Sequence, residues 1–211
     1  QQFGVDGDIP TAEDYDGDRR SDLAVFRQSD GRWYFIKSSE STFNVINWGE
    51  AGDVPAAGDY DGDGNSDFVL FRPSNGTWYT RRSSDSNFSV VQWCEASDIP
   101  VPGDFDGDGK YDLTVWRGSN GNWYSIKSTN GNFSVSQYGV LNDQPATGDF
   151  DGDGRNDLTV FRPSTGQWFT KRSSDNNFVV ANWGVAGDVP VVGDYDNDGR
   201  DDIAVFRGSN G

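Results

Sequence analysis

Residues 58–79 read GDYDGDGNSDFVLFRPSNGTWY, and this stretch decides the fold because the chain repeats its pattern at a fixed interval. Its first aspartate, Asp59, has counterparts spaced 45 residues apart at Asp14, Asp104, Asp149 and Asp194. The copies align without a gap as residues 4–48, 49–93, 94–138 and 139–183, followed by a truncated copy, 184–211. A gapless period of this length indicates a repeat architecture.

Four short β-strands are predicted in each repeat. In the second copy they are residues 54–60, 67–72, 78–82 and 88–93. The second segment is apolar on both faces, as a buried strand is, and Asn75-Gly76 before the third segment is a hairpin signal. No segment shows a sustained 3.6-residue apolar period, so the sequence excludes a helical solenoid.

Four antiparallel strands in a repeat of about 40–50 residues are typical of a β-propeller blade. We therefore predict an all-β fold: a β-propeller of four-stranded antiparallel blades, forming one domain over residues 1–211. Four complete copies and one partial copy favour five blades. The last blade would be incomplete and completed in part by the N-terminal residues 1–3. A fragment of a larger propeller is the alternative.

Composition restricts the possible functions. The 211-residue chain has a formal net charge of −17, and its acidic residues lie in short Asp clusters. Nucleic acid is therefore not an expected partner, because phosphates require Lys and Arg. The chain has no histidine and one cysteine, Cys94, which excludes Ser-His-Asp catalysis, His-ligated zinc and an internal disulfide. No apolar run approaches the roughly 18 residues of a membrane helix, so membrane insertion is not expected.

The aspartates of each repeat form a nine-residue loop, D-x-D-G-D-G-x-x-D in its fullest form. Carboxylates at positions 1, 3 and 5 of a tight loop converge on one point, position 7 offers a backbone carbonyl, and position 9 is again Asp. Because Ca²⁺ takes about six to eight oxygen ligands, each loop is predicted to bind one ion, up to five in the chain. The predicted ligands are Asp14, Asp16, Asp18, Arg20 and Asp22; Asp59, Asp61, Asp63, Asn65 and Asp67; Asp104, Asp106, Asp108, Lys110 and Asp112; Asp149, Asp151, Asp153, Arg155 and Asp157; and Asp194, Asp196, Asp198, Arg200 and Asp202.

Two other interpretations of the loop fit less well. Asp-Gly pairs are common in solvated turns, but four carboxylates within nine residues repel one another without a cation, and every copy keeps them. An EF-hand needs a Glu at position 12, where this chain has Val or Leu inside a predicted strand. Position 6 is glycine in four copies, as a sharp turn with positive φ requires. The first copy has Arg19 there and is expected to bind most weakly, whereas Asn197 at position 4 of the fifth copy is a mild change.

At these loops the sequence resembles the FG-GAP/VCBS repeat family, whose calcium-loop blades also occur in the propellers of integrin α-subunits. The matching stretches include residues 58–79 and residues 148–169, GDFDGDGRNDLTVFRPSTGQWF. The resemblance covers essentially the whole chain. It implies a β-propeller with Ca²⁺ in the loop between the first and second strand of each blade, held by the aspartates at positions 1, 3, 5 and 9. The chain departs from integrin-type repeats after the second strand, where Arg-Pro-Ser, Arg-Gly-Ser or Arg-Gln-Ser replaces a Gly-Ala-Pro turn.

Charged and aromatic residues also recur at the repeat interval. We interpret the recurring Arg and Asp residues as inter-blade ion pairs or hydrogen bonds to a turn, with a repeated sugar or carboxylate contact as the alternative. These residues are Arg27, Arg72, Arg117, Arg162 and Arg207, with Asp8, Asp53, Asp98, Asp143 and Asp188. Trp33, Trp78, Trp123 and Trp168 are interpreted as inter-blade core. The aromatic residues that end each repeat are core or platforms for sugar rings, which makes them candidate ligand-binding residues: Trp48, Trp93, Tyr138 and Trp183.

Together these patterns predict a calcium-stabilised propeller that acts as a binding or adhesion module for carbohydrate or extracellular protein. Because free cytosolic Ca²⁺ is too low for sites of moderate affinity, we expect a secreted or cell-surface location. An enzyme is not expected, since a catalytic carboxylate pair should break the repeat symmetry and no unique acidic pair does so. The alternatives are a structural spacer of a larger secreted protein and a carbohydrate-active enzyme. Residue 1 is Gln rather than Met, which suggests a processed protein or a piece of a longer one.

Overall fold

A computed structural model describes residues 3–208, which form an all-β structure without helices, as predicted. Among these residues there is accordingly no helix able to cross a membrane. The chain divides between Pro100 and Val101 into two compact units. Residues 1 and 2, part of the predicted ring closure, and residues 209–211 lie outside the described range, so the closure and the blade count remain predictions.

Unit 1 contains two four-stranded antiparallel sheets with the strand orders β1-β2-β3-β4 and β5-β6-β7-β8, the meander of a propeller blade. The first blade consists of β1 (Asp8–Pro10), β2 (Leu23–Arg27), β3 (Arg32–Ile36) and β4 (Phe43–Asn47). The second consists of β5 (Val54–Pro55), β6 (Phe68–Arg72), β7 (Thr77–Arg81) and β8 (Phe88–Gln92). The short strand β9 (Ile99–Pro100) ends the unit.

Unit 2 continues the same pattern. The third repeat contributes β10 (Leu113–Arg117), β11 (Asn122–Ile126) and β12 (Phe133–Gln137), paired in that order. The fourth blade consists of β13 (Gln144–Gly148), β14 (Asp157–Arg162), β15 (Gln167–Lys171) and β16 (Phe178–Asn182). In the fifth repeat β17 (Val189–Pro190) pairs with β18 (Val205–Phe206), as expected of a partial blade.

The predicted strands of the second repeat are confirmed to within about one residue, apart from the first. β6 pairs with β7 in register, with Phe71 opposite Trp78, and β7 pairs with β8. The first strand was predicted over residues 54–60, but β5 covers Val54–Pro55, followed by an isolated bridge between Gly58 and Asp67. The equivalent strand of the fourth repeat, β13, covers Gln144–Gly148 with Pro145 at the position of Pro55, so the proline alone does not set the length of this ladder.

One tryptophan per blade forms the centre of the core. Trp33, Trp78, Trp123 and Trp168 are each about 1% exposed. In unit 1, Trp33 packs in one cluster with Phe68 and Leu70 of the next blade, and in unit 2, Trp123 clusters with Val160. These contacts confirm the inter-blade core. The indole N–H groups are also bonded: Trp33 donates to the Trp48 carbonyl at 2.9 Å, whereas Trp78 donates to Sγ of Cys94 at 3.2 Å.

The recurring arginine and aspartate join strands within one blade, so the inter-blade pairing predicted from sequence is wrong. Arg27 on β2 donates from Nε and Nη2 to the carboxylate of Asp8 on β1, at 2.8 and 2.9 Å. Asp8 also accepts the N–H of Val5 at 2.9 Å, which closes the turn before β1. The same bidentate pair occurs in Arg72–Asp53, Arg162–Asp143 and Arg207–Asp188. The aspartate thus makes both the ion pair and the predicted hydrogen bond to a turn.

Candidate metal centres

Five aspartate loops follow the first strand segment of their repeats. We call them loop 1 (residues 14–22), loop 2 (59–67), loop 3 (104–112), loop 4 (149–157) and loop 5 (194–202). Each loop brings three carboxylates together with one oxygen of each within 4.8 Å of the others. Loops 1, 3 and 4 do this with positions 1, 3 and 5, as predicted: Asp14, Asp16 and Asp18; Asp104, Asp106 and Asp108; Asp149, Asp151 and Asp153. Loops 2 and 5 use positions 1, 3 and 9: Asp59, Asp61 and Asp67; Asp194, Asp196 and Asp202.

The first aspartate of each loop folds the loop around itself. In loop 3, Oδ1 of Asp104 accepts the N–H of Gly107 at 2.6 Å, and Oδ2 accepts that of Gly109 at 2.8 Å. The two glycines have φ of 82° and 84°, the left-handed region that favours glycine. Asp108, at position 5, accepts the N–H of Lys110 at 3.0 Å. The loop is therefore a closed turn whose carboxylates face inward.

Loop 1 adopts the same turn despite its arginine at position 6. Arg19 has φ of 67° and donates its N–H to Oδ2 of Asp14 at 2.6 Å, as the glycine does in the other loops. A non-glycine residue in this region is strained by roughly 1–2 kcal/mol. The loop keeps its geometry at a cost in free energy, and its weaker binding stays a prediction.

The aspartate at position 9 is the most buried of the set. Asp112 in loop 3 is 0% exposed and accepts two N–H groups, from Phe105 at 3.1 Å and from Ser128 at 2.8 Å. Burial raises the pKa of the equivalent carboxyls of Asp67 and Asp157 to about 6, and the nearby position-3 aspartates add to the rise. Position 9 therefore joins the loop to the turn after the third strand of its own blade.

That turn supplies a pair of hydroxyl groups that sequence reasoning did not assign to the site. Oγ of Ser38 donates to Asp18 at 2.9 Å, and Oγ of Ser39 donates to Asp16 at 2.6 Å. The equivalent turns make the same contacts, with Ser83 and Ser84 donating to loop 2, Ser128 and Thr129 to loop 3, and Ser173 and Ser174 to loop 4. The signal was available, because a hydroxyl pair recurs at the 45-residue interval.

Two buried carboxylate oxygens show that the loops suit a cation. Asp106 directs Oδ2 to the hydroxyl of Thr129 at 2.7 Å, but its buried Oδ1 has no hydrogen-bond partner. Oδ1 of Asp151 in loop 4 is likewise buried and without a partner. An unpaired buried carboxylate oxygen is costly. An all-oxygen set of carboxylates is what a hard cation such as Ca²⁺ prefers. The residues present therefore fit the ion.

In every loop the N–H of the position-7 residue donates a hydrogen bond to the position-5 carboxylate, at 2.8–3.0 Å.

Loop 5 is the most open of the five loops, since Asp194, Asp196 and Asp198 are all exposed.

The aromatic residues at the repeat ends differ in their surroundings. Trp48 lines a cleft of about 300 Å³ with Arg72, Tyr79 and Phe88 of the following blade. Tyr138 lines the equivalent cleft of about 170 Å³ in unit 2, with Arg162, Phe169 and Phe178. Trp93 is partly buried and Trp183 is 59% exposed. Two of the four candidate ligand-binding residues thus lie in matching clefts within a unit.

Part of the chain is similar to a known repeat family. The sequence profile of the FG-GAP-like repeat matches residues 104–160 and, one period later, residues 149–205. No curated protein gives a significant match. These matches confirm the resemblance that the aspartate loops indicate.

Solved structures with low sequence identity share the fold. A lectin from Agrocybe aegerita that recognises non-reducing terminal N-acetylglucosamine has 15% identity and a TM-score of 0.61, covering 95% of this chain and 61% of its own. A virginiamycin B lyase from Staphylococcus aureus has 9% identity and a TM-score of 0.56, with 90% and 60% covered. A Bacteroides caccae protein of unknown function has 14% identity and a TM-score of 0.58, with 97% and 73% covered. The chain thus spans about three fifths of the first two structures, and the likeness shows the fold alone. Residues 104–205 are thus similar to FG-GAP-like repeats, and the first half of the chain repeats the same sequence pattern at the gapless 45-residue interval.

Proposed function

We propose that this chain is a calcium-stabilised binding module of a secreted or cell-surface protein. The observation that carries the calcium part is the inward-facing carboxylate oxygen of Asp106 and of Asp151, buried and without a hydrogen-bond partner inside a ring of oxygen donors. The chain's net charge of −17 adds a reason, because clustered aspartates repel one another unless a cation neutralises them. Millimolar extracellular Ca²⁺ would keep sites of moderate affinity filled.

The calcium proposal is tested by titrating the metal-free protein with Ca²⁺ in a calorimeter and by recording thermal unfolding with Ca²⁺ or with EDTA. Ligand binding to the folded state alone raises its stability by about 2.7 kcal/mol per site at a hundred-fold excess over Kd. A matched variant, Asp106→Asn/Asp151→Asn, keeps the shape of both side chains and removes two charges. This variant should show a much smaller heat of Ca²⁺ binding in the calorimeter. An unfolding temperature that is the same in Ca²⁺ and EDTA would refute calcium stabilisation.

For the ligand, we propose carbohydrate, bound in the cleft that Trp48 lines. The Arg72 guanidinium lies 4.3 Å from the centroid of the Tyr79 ring and is fixed by two bonds to Asp53, at 2.7 and 2.8 Å. Glu50, whose side chain is 71% exposed, lies 3.2 Å from Arg72. Aromatic faces beside a few fixed polar groups are typical of small-ligand sites, and they suit a sugar ring with its apolar face and its hydroxyls. The lectin among the similar structures agrees with this class of ligand.

The two clefts offer a matched pair for testing this ligand. Where the Trp48 cleft has Glu50, the Tyr138 cleft has Val140, so the Tyr138 cleft lacks this exposed carboxylate and has a smaller volume. On a glycan array with Ca²⁺ present, Trp48→Ala should abolish most binding and Tyr138→Ala should leave most of it. An array on which the native chain binds no sugar would refute the carbohydrate proposal and favour a protein ligand or a spacer.

The proposed function is binding without catalysis. The acidic residues of the loops recur in every repeat, and those at positions 1 and 9 accept backbone N–H groups in each loop. Such carboxylates hold structure and do not stand out as a general acid and base pair. A hydrolysis assay on any glycan that binds the array would check this, with release of reducing ends as the contrary result.

A further inference from the structure

Loops 3 and 4 are joined by a reciprocal pair of hydrogen bonds. The N–H of Asp104, the first residue of loop 3, donates to Oδ1 of Asn156 at 2.7 Å. The N–H of Asn156 donates back to the carbonyl oxygen of Asp104, also at 2.7 Å. Asn156 is position 8 of loop 4, so one residue of the fourth repeat holds both backbone groups of the leading aspartate of the third.

Loops 4 and 5 are joined in the same way. The N–H of Asp149 donates to Oδ2 of Asp201 at 2.7 Å, and the N–H of Asp201 donates to the Asp149 carbonyl at 2.9 Å. Asp201 is again position 8 of its loop. Within unit 2, three consecutive loops are therefore connected through two reciprocal clamps.

The position of the clamp residue connects it to the predicted ligands on both sides. In loop 4, Asn156 stands between Arg155, whose carbonyl is a predicted ligand, and Asp157 at position 9. A cation that holds Arg155 and Asp157 would also fix the backbone of Asn156 between them. At the other end, Asp104 accepts the N–H groups of Gly107 and Gly109, so holding Asp104 in place orders the turn of loop 3. The order of one loop is thus transmitted to the leading ligand of the loop before it.

A side chain of the following loop also covers each preceding turn. A Cβ added to Gly107 would lie 2.6 Å from Nε of Arg155, and one added to Gly152 would lie 3.2 Å from Nε of Arg200. The glycine at position 4 is therefore needed for contact between loops as well as for the turn.

We propose that the cation sites of loops 3, 4 and 5 are positively coupled, with Asn156 and Asp201 as the positioning residues that carry the coupling. This inference rests on the proposed calcium binding. Coupling between sites is reciprocal, so a cation in loop 4 raises the affinity of loop 3 and the reverse also holds. Between loops 1 and 2, Ser66 makes one of the two clamp bonds, from its N–H to the Asp14 carbonyl at 2.7 Å, and its hydroxyl donates to Glu13 instead of accepting the Asp14 N–H. Unit 1 is therefore the weakly coupled control.

The test uses the full chain and NMR-detected exchange of the Gly109 amide, which donates to Asp104 within loop 3 and has no side chain of loop 4 beside its α-carbon. The Ca²⁺ concentration at half-maximal protection is measured with loop 4 intact and with loop 4 disabled by Asp151→Asn/Asp153→Asn. Coupling in the usual range predicts that disabling loop 4 raises the loop 3 midpoint about five-fold or more. In an Asn156→Ala background the same change should be less than about two-fold, whereas Asn156→Asp, which keeps the acceptor oxygen as Asp201 does, should preserve the full effect.

The control measurement reads Gly17 in loop 1 with loop 2 disabled by Asp61→Asn/Asp63→Asn, where a smaller shift is expected. A loop 3 midpoint that ignores the state of loop 4 would overturn the coupling and leave calcium binding intact. Equal coupling in the Asn156→Ala chain would overturn the role of Asn156. If no amide responds to Ca²⁺, the proposed calcium binding fails and the coupling fails with it.

Discussion

Loops 1 and 3 carry the same four carboxylates, but the following repeat holds them differently. In loop 3, Gly103 precedes Asp104, and the space beside it is filled by Asn156: a Cβ on Gly103 would lie 2.8 Å from the amide carbon of Asn156. In loop 1 the equivalent residue is Glu13, whose carboxylate accepts the hydroxyl of Ser66 at 3.4 Å. The small serine leaves room for Glu13, and the asparagine requires glycine.

This difference shows that the aspartates of a loop do not alone determine how the next repeat holds that loop. Asn156 forms hydrogen bonds with both the N–H and the carbonyl of Asp104. Ser66 donates its N–H to the carbonyl of Asp14, but its hydroxyl donates to Glu13. Burial raises the pKa of the Glu13 carboxyl to about 7, an unusual acid beside the loop. Together with the positive φ of Arg19, these contacts lead us to expect that loop 1 is the weaker site.

The largest effect is expected from disabling single loops and measuring the stabilisation that Ca²⁺ provides. Asp106→Asn/Asp108→Asn in loop 3 should remove about 2.7 kcal/mol of Ca²⁺-dependent stability at a hundred-fold excess of Ca²⁺ over Kd. Asp16→Asn/Asp18→Asn in loop 1 should remove clearly less, because that site is predicted to bind more weakly. Thermal unfolding with and without EDTA measures both. A larger loss from loop 1 than from loop 3 would reverse the comparison.

A second test transfers the loop 1 arrangement to loop 3. Gly103→Ala places a Cβ against the Asn156 amide and should lower the free energy of unfolding by about 1–3 kcal/mol, as overpacking does. The double variant Gly103→Ala/Asn156→Ser restores the small neighbour found in loop 1 and should recover part of the steric cost. Urea unfolding of the three chains measures these values. If Gly103→Ala costs nothing, the neighbour does not explain the glycine.

A smaller effect is expected at position 6. Arg19→Gly relieves the backbone strain of a non-glycine residue at φ of 67°. The relief, roughly 1–2 kcal/mol, is partly offset by the entropy of glycine, about 0.5–1 kcal/mol. The loop 1 Ca²⁺ midpoint, read from Gly17, should therefore fall a few-fold. Gly109→Arg should raise the loop 3 midpoint by a similar factor. If each variant has the same midpoint as the native chain, position 6 does not distinguish the two loops.

Much of this architecture can be predicted from the sequence because the same residue pattern recurs at a fixed interval. The strands, the buried tryptophans and the convergence of the position-1 and position-3 aspartates need only local pattern and burial. The clamps cannot be predicted in this way. Their residues occupy one repeat position with different side chains, and their partners lie about one repeat away: Ser66, Asn156 and Asp201. The Arg–Asp pair was placed between blades because sequence spacing cannot tell a cross-strand neighbour from a neighbour in the next sheet.

The smallest effect is expected where loops 1 and 3 are alike. Ser39 donates to Asp16 at 2.6 Å and Thr129 donates to Asp106 at 2.7 Å, and both pairs lie at the surface. Ser39→Ala and Thr129→Ala should each cost about 0.5–1.5 kcal/mol, the usual value of one hydrogen bond. Urea unfolding in Ca²⁺ would show equal losses, since the hydroxyl contact is shared. A distinctly larger loss for Thr129→Ala would mean that the hydroxyl pair, and not only the clamp from the following repeat, separates the two loops.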